Sequence, residues 1–126
     1  NPDVRFLGAR NNIPEIMKDL NVFVMASYKE PFGLVTVEAM AAGTPVVGTN
    51  SGATPELITD GDTGLLFPSD DADGLAKAVI RVLSDDRLAG KLKEGGIAAA
   101  KKYTIEAMVA NTRNIYHEVL GETQER

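Results

Sequence analysis

The sequence contains no cysteine, and it has a single histidine among its 126 residues. Without cysteine, the chain can form neither a disulfide framework nor a thiolate metal site. No run of apolar residues in the sequence is long enough to cross a lipid bilayer. The absence of cysteine is compatible with a reducing compartment, and we expect a cytoplasmic protein.

Basic side chains are also scarce. The chain has 13 lysines and arginines against 18 acidic residues, which gives a net charge of -5. Nucleic-acid-binding proteins normally carry a basic face, so we expect no nucleic-acid partner. A small anionic ligand is not excluded, because backbone amides bind phosphate without any basic side chain. The length and the 44% hydrophobic content are typical of one globular domain.

Short apolar runs alternate with helical patterns along the first half of the chain. The predicted strands cover residues 4–7, 22–26, 46–47 and 65–67. The predicted helices between them cover residues 13–20, 33–42 and 55–58. Alternation of this kind predicts an α/β fold, with a parallel sheet, helices on both faces and a Rossmann-like topology.

The second half of the chain is predicted to be helical. The residues expected to cap three successive helices are Asp70, Asp85 or Asp86, and Thr104. The last of these helices extends over residues 104–120. The paired glycines at residues 95–96 are expected to mark a break between two helices.

The helix predicted at residues 33–42 carries apolar side chains on every side, so we expect it to be buried. Its only polar side chains are Thr36 and Glu38. A carboxylate inside a buried helix is unfavourable unless it is paired or faces a cleft. Glu38 is therefore either a structural ion-pair or hydrogen-bond partner or a ligand-binding residue, and the residue type leaves both readings open.

Gly33 begins this helix at the carboxyl end of a predicted parallel strand, which is where such sheets bind their ligands. Glycine lets the backbone approach a ligand closely, and the first amides of the helix, those of Gly33, Leu34 and Val35, are expected to point at an anion. Glu30 lies in the same loop, beside Pro31, which stiffens it.

Residues 27–47 read SYKEPFGLVTVEAMAAGTPVV. This segment resembles the signature of the retaining glycosyltransferases with the GT-B fold, the glycosyl transferases group 1 family, whose mark is two glutamates separated by seven residues. Glu30 and Glu38 have that spacing, and they are embedded in Pro-Phe-Gly and Glu-Ala-Met-Ala-Ala-Gly. The similarity covers nearly the whole chain and implies the C-terminal half of a GT-B enzyme.

The resemblance implies a role for each matching residue. Glu38 would accept hydrogen bonds from the ribose hydroxyls of a nucleotide, and Glu30 would contact the donor sugar near the reacting carbon as the catalytic residue. The loop after Gly8, around Arg10, would hold the edge of the base through backbone groups. The residues that would present amides to the donor sugar and the diphosphate are Phe32, Gly33 and Leu34.

The family does not need a bound metal, so the resemblance implies no metal site and no cofactor beyond the nucleoside-diphosphate sugar itself. Amides of the helix and basic side chains would stabilise the leaving diphosphate. The family's arginine and lysine for this task come from a segment that would precede residue 1. The chain departs from the family at two further places. It has Gly52-Ala53 where the family often has two glycines, and a loop near the donor is expected to change there. It also has Asn21 in place of an aspartate.

Several other residues are expected to serve the structure rather than the chemistry. His117 is assigned to a surface or interdomain position, Lys29 to an exposed loop, and residues 101–103 to a solvated helix end. Asp70, Asp71 and Asp73 suggest a cation cluster, but helix capping explains them more simply. Glu56 is expected to brace a loop, with ligand contact as the alternative.

Taken together, residues 1–126 are expected to be part of a nucleotide-sugar-binding domain. The parent enzyme would transfer a hexose from a nucleoside-diphosphate sugar to an acceptor with retention. The acceptor domain and the start of this domain would precede residue 1, so the chain alone is expected to be inactive. The expected partners are the nucleotide sugar and that acceptor domain, and association of the parent enzyme with a membrane is left open.

Two alternatives remain. In the first alternative, the chain would be a non-catalytic module that binds a nucleotide sugar or a protein. Retention of both Glu30 and Glu38 argues against such a loss of the catalytic site. Alternatively it belongs to a sugar-nucleotide epimerase, which can share the GT-B fold. The paired glutamates with Pro-Phe-Gly favour the transferase.

Overall fold

The computed structural model describes residues 3–121, which form three strands, six α-helices and one 3₁₀ turn. The strands are β1 (Phe23–Met25), β2 (Val46–Thr49) and β3 (Leu65–Phe67). The helices are α1 (Ile13–Lys18), α2 (Leu34–Ala42), α3 (Thr54–Leu57), α4 (Ala72–Ser84), α5 (Asp86–Ala100) and α6 (Ile105–Leu120). The 3₁₀ turn, Lys101–Tyr103, joins α5 to α6. Within residues 3–121, none of the helices is both long and apolar enough to cross a membrane.

The three strands form one parallel sheet in the order β1-β2-β3. Phe23 pairs with Val46, and Val47 pairs with Leu65. Parallel neighbours need a crossover, and α2 provides it between β1 and β2. All three strands therefore end at the same edge of the sheet, and the loops that follow them lie together.

Helices cover both faces of the sheet, as the sequence predicts. Val46 and Val47 are both fully buried, and their side chains point to opposite faces because successive strand residues alternate. Val46 packs with residues of α1, α2 and α3, including Met40. Val47 packs with residues of α4 and α5, including Leu92. The fold is thus α/β and Rossmann-like.

The strand predicted at residues 4–7 is wrong. In the described part of the chain this segment has no strand, and Phe6 is 97% exposed. β1 is an edge strand of the described sheet, because only β2 pairs with it. Residues 4–7 do not add to its free edge, so their backbone has no strand to exchange hydrogen bonds with. Val24 of β1 is 37% exposed, where the sequence predicts a strand buried on both faces.

The helix ends follow local signals. Gly43 ends α2 in the left-handed conformation, and the amides of Gly43 and Thr44 donate to the carbonyls of Met40 and Ala39. Asp85 and Thr104 cap α5 and α6 as predicted.

The cap of α4 differs from the prediction by one residue. The carboxylate of Asp71, and not that of Asp70, accepts a hydrogen bond from the amide of Gly74 over 2.8 Å. Asp70 has a positive φ of 61° and belongs to the turn before the helix. An N-cap side chain accepts from an amide two or three residues farther on, and here Asp71 accepts from the amide three residues on.

The predicted break at residues 95–96 is also wrong, because α5 runs without interruption from Asp86 to Ala100. The glycines serve close packing instead. A Cβ atom on Gly95 would lie 2.3 Å from the carbonyl oxygen of Asp62, and Gly96 packs beside Met40 of α2. The glycines therefore let α5 approach both α2 and the turn before β3.

This packing predicts opposite effects for two glycines of the same helix. Gly95→Ala should lower the free energy of unfolding by about 1–3 kcal/mol, because the new methyl group meets the Asp62 backbone. Gly90→Ala is the matched control: a Cβ there meets nothing within 4 Å, so the better helix former should raise stability by about 0.5–1 kcal/mol. Urea unfolding followed by circular dichroism measures both. A stabilising Gly95→Ala would contradict the packing explanation.

Candidate functional site

Two loops meet at the edge of the sheet where the strands end. One follows β1 and contains Glu30, and the other follows β2 and contains Ser51 and Ala53. The amide of Ala53 donates to the carbonyl of Glu30 over 2.9 Å, and the amide of Lys29 donates to the hydroxyl of Ser51 over 3.3 Å. The two loops therefore behave as one backbone unit in front of α2.

Gly52 makes this contact possible. It has a positive φ of 58°, and a Cβ atom there would lie 2.5 Å from the carbonyl oxygen of Glu30. Ala53 adopts ordinary right-handed dihedral angles, φ -82° and ψ -7°. Alanine adopts these angles without strain, so it fits at this position.

Gly33 begins α2 with a positive φ of 87°, a conformation that glycine adopts without strain. It has no side chain, and α2 has no side-chain cap at this end. The first amides of the helix are thus left for another acceptor, and the helix dipole favours an anion there. Gly33 itself is buried, and its carbonyl accepts from the amide of Thr36 over 2.9 Å.

The hydroxyl of Thr36 adds a polar atom at the same place. It is fully buried, and it lies 3.3 Å from the position that a Cβ atom on Gly33 would occupy. It has no hydrogen-bond partner among the residues that the structure describes. The first turn of α2 therefore holds both uncapped amides and an unpaired hydroxyl.

The expectation that α2 is buried all round is wrong. Leu34 is 68% exposed, and Glu38 and Ala41 are exposed as well. These residues are three or four positions apart, so they share one face of the helix. The opposite side, with Ala39 and Met40, is fully buried. Because Glu38 is exposed, its carboxylate needs no ion pair in the core. The interpretation of Glu38 as a buried salt-bridge partner is therefore wrong.

Glu38 lies at a groove of about 380 Å³ between α1 and α2. Its wall is mostly apolar and also includes one lysine and one glutamate. The residues that line it are Ile13, Pro14, Lys18, Glu38, Ala41 and Ala42. Arg10 is not among them; its Nε donates to Asn12 Oδ1 over 3.3 Å in the exposed loop before α1.

Glu30 is half-buried, and its Cγ lies 3.3 Å from the position that a Cβ atom on Gly33 would occupy. It thus stands directly beside the start of α2. Leu34 and Glu38 lie farther along the open face of the same helix. The structure therefore brings Glu30, Phe32, Gly33, Leu34 and Glu38 together along one helix and its entry loop.

One contact of this loop has no sequence signal. The ring of Phe32 packs edge-to-face against Tyr103, with ring centroids 5.9 Å apart at 72°. The Tyr103 hydroxyl donates to the Glu56 carbonyl over 3.4 Å. Residues 101–103 are all exposed at the end of α5, as predicted for a solvated helix end, and Tyr103 makes these two contacts in addition. Glu56 contributes only its backbone carbonyl to this contact, so the capping or bracing role predicted for its side chain stays a prediction.

The sequence assigns the side chains of Lys29 and His117 to structural positions. Lys29 is exposed, and its Nζ lies 5.4 Å from the ring centroid of Tyr28. His117 lies in the last turn of α6. Between residues 3 and 121, no three His, Cys, Asp or Glu side chains are grouped so that they could hold a metal ion.

Comparisons with known proteins agree on one family. The model of the family described as "Glycosyl transferases group 1" matches residues 1–99. The chain is 37% identical, over 118 residues, to N-acetyl-alpha-D-glucosaminyl L-malate synthase of Bacillus anthracis. That match covers 93% of this chain and 31% of the relative. The chain thus spans about a third of the length of this relative and of two other curated relatives that it matches.

Solved structures show the same fold. Sucrose-phosphate synthase from Thermosynechococcus elongatus superimposes with a TM-score of 0.78 at 36% identity, over 86% of this chain and 27% of that one. Alr3699/HepE of Anabaena, solved in complex with UDP, superimposes with a TM-score of 0.81 at 30% identity, over 95% of this chain and 32% of that one. With the family match over most of its length, the chain belongs to the glycosyl transferases group 1 family and has the α/β fold of the GT-B glycosyltransferases.

Proposed function

We propose that this chain is the donor-binding part of a retaining glycosyltransferase, which transfers a hexose from a nucleoside-diphosphate sugar to an acceptor. The observation that carries the proposal is the uncapped, glycine-started N-terminus of α2, with an exposed carboxylate one turn farther along the same open face. In this proposal residues 1–126 are part of a nucleotide-sugar-binding domain of a cytoplasmic enzyme. The acceptor domain lies elsewhere in the full-length protein.

The diphosphate is assigned to the start of α2. The amides of Gly33 and Leu34 supply hydrogen-bond donors, and the helix dipole supplies a partial positive charge. Phe32 precedes them and directs the backbone into the helix. The same donors would stabilise the charge that grows on the leaving diphosphate, so we propose a reaction without a metal cofactor.

The nucleoside is assigned to the open face of α2. Glu38 follows Leu34 by four residues, about 6 Å along the helix axis, so its carboxylate can accept hydrogen bonds from ribose hydroxyls while the diphosphate stays at the helix start. The loop around Arg10 leads into the N-terminus of α1, whose Ile13 and Pro14 line the groove at Glu38. The base is proposed to lie against backbone groups of that loop.

Glu30 is proposed as the catalytic residue, close to the reacting carbon of the donor sugar. Its carbonyl is held by the Ala53 amide, and its side chain stands beside Gly33. A carboxylate fixed in this position favours the positive charge that develops on a sugar ring as the bond to the diphosphate breaks. That the Anabaena protein has been solved with UDP and with UDP-glucose supports a nucleoside-diphosphate hexose as donor.

The diphosphate assignment predicts which amides respond to a nucleotide. Titration of the ¹⁵N-labelled chain with UDP should shift the amide resonances of Gly33 and Leu34, with a dissociation constant near 1 mM, or about 4 kcal/mol of binding free energy. Weak binding is expected because the proposal assigns only backbone amides, and no basic side chain of this chain, to the diphosphate. Shifts confined to α4, on the other face of the sheet, would contradict the assignment.

Substitution of Glu38 separates binding from folding. Glu38→Gln keeps the shape but removes the charge, and a hydrogen bond to a charged group contributes about 1.5–3 kcal/mol, so UDP affinity should fall about tenfold or more. The free energy of unfolding should change by less than about 0.5 kcal/mol, because Glu38 is exposed.

Glu94→Gln is the matched control, since Glu94 is an exposed glutamate on α5. It should leave both quantities unchanged. The two quantities are measured by NMR titration and by urea unfolding of the same samples. An unchanged UDP affinity in Glu38→Gln would remove Glu38 from the site.

If this chain binds the donor and a separate domain binds the acceptor, the chain alone should transfer no sugar. Catalysis of this kind depends on positioning both substrates together, and the chain offers a proposed site for one of them. Incubation with UDP-glucose and a panel of acceptors, followed by mass spectrometry, should show no glycosylated product above background. Turnover by the 126-residue chain would show that it contains an acceptor site.

A further inference from the structure

Tyr103 lies far along the chain from the proposed donor site, yet its ring touches that site. Phe32, in the loop after β1, is 42% exposed, and the Tyr103 ring meets it edge-to-face with centroids 5.9 Å apart. This geometry lies within the range that aromatic pairs prefer. Phe32 is followed directly by Gly33, so a contact that restrains the Phe32 ring also restrains the loop next to the start of α2.

The other end of Tyr103 is attached to α3. Its hydroxyl donates to the Glu56 carbonyl over 3.4 Å, and the Glu56 amide donates to the Ala53 carbonyl over 2.9 Å. The Ala53 amide in turn donates to the carbonyl of Glu30. Two supports therefore hold the same loop, one at Glu30 and one at Phe32, and both lead to α3.

The backbone of Tyr103 is itself firmly placed. It follows Ala100, the buried last residue of α5, which packs in the same core cluster as Met40 of α2. It precedes Thr104, whose hydroxyl caps α6 by accepting from the Ala107 amide over 3.2 Å. A residue whose backbone is placed between two helices in this way offers the Phe32 ring a fixed contact.

We propose that Tyr103 is a positioning residue for the nucleotide site. By holding Phe32, it keeps the amides of Gly33 and Leu34 oriented toward an anion before the ligand arrives. Preorganisation of this kind removes the free energy of ordering the loop from the binding step. The role in ligand binding rests on the proposed function, whereas the hold on the loop does not.

The test compares two variants of Tyr103 with a matched control in the 126-residue chain. Tyr103→Leu removes the ring, Tyr103→Phe keeps the ring and removes the hydroxyl, and Tyr116→Leu makes the same change at an exposed tyrosine of α6. The first measurement uses no ligand. Tyr103→Leu should shift and broaden the amide resonances of Phe32, Gly33 and Leu34, whereas the other two variants should leave them close to the wild type.

The second measurement is the UDP titration. Tyr103→Leu should weaken UDP binding about three- to tenfold, the range that an aromatic pair contributes, and Tyr103→Phe should restore most of the affinity. Thermal unfolding of each variant shows whether a loss of affinity goes beyond a loss of stability. A merely structural role would lower the melting temperature and leave the UDP affinity of the folded fraction unchanged, and that result would overturn the proposal.

Failure of the proposed function gives a different pattern. If the wild-type chain shows no response to UDP at Gly33, the nucleotide assignment falls, and the ligand-free resonances alone decide whether Tyr103 holds the loop. If those resonances are unchanged in Tyr103→Leu, Tyr103 is not a positioning residue whatever the ligand.

Discussion

The amide of Ala53 donates to the carbonyl of Glu30 over 2.9 Å, and this bond ties the loop after β2 to the loop after β1. It forms because Gly52 has no side chain and lets the two backbones meet. The position of Glu30 and the entry into Gly33 both depend on this contact. The proposed donor site is thus built on backbone packing at the edge of a parallel sheet, where neighbouring loops are brought together by the direction of the strands.

Helix α2 belongs to the core and to the site at once. Its buried side, with Ala39 and Met40, packs in the cluster that covers one face of the sheet, whereas Leu34 and Glu38 lie on the open side. Close packing on the buried side leaves the helix little freedom to move. Its first amides and its exposed carboxylate therefore keep a fixed spacing, which is what recognition of a phosphate and a ribose in one ligand requires.

The net charge of this chain disfavours an anionic ligand, whereas the backbone at the start of α2 favours one. The net charge of -5 repels an anionic ligand at long range, although salt screens that repulsion beyond about 8 Å under physiological conditions. The uncapped amides of α2 act only at short range, within the first turn of the helix. A diphosphate at the proposed site would therefore be held by short-range contacts with these amides.

The sequence by itself determined the parallel α/β class, the strand at Leu65–Phe67, the helix ended by Gly43 and the segment that carries the family signature. These features depend on signals between residues that are close in the chain. The signals are the periodicity of apolar residues, a glycine that ends a helix, and a hydroxyl or carboxylate three residues before the amide that it caps. Only the tertiary structure decided that Glu38 is exposed, that α5 runs through its paired glycines and that Tyr103 holds Phe32. Each of these features depends on a segment that is distant in the sequence. Asp62 packs against Gly95, and α3 contacts Tyr103. The residue pattern within one segment does not reveal which distant segment will pack against it.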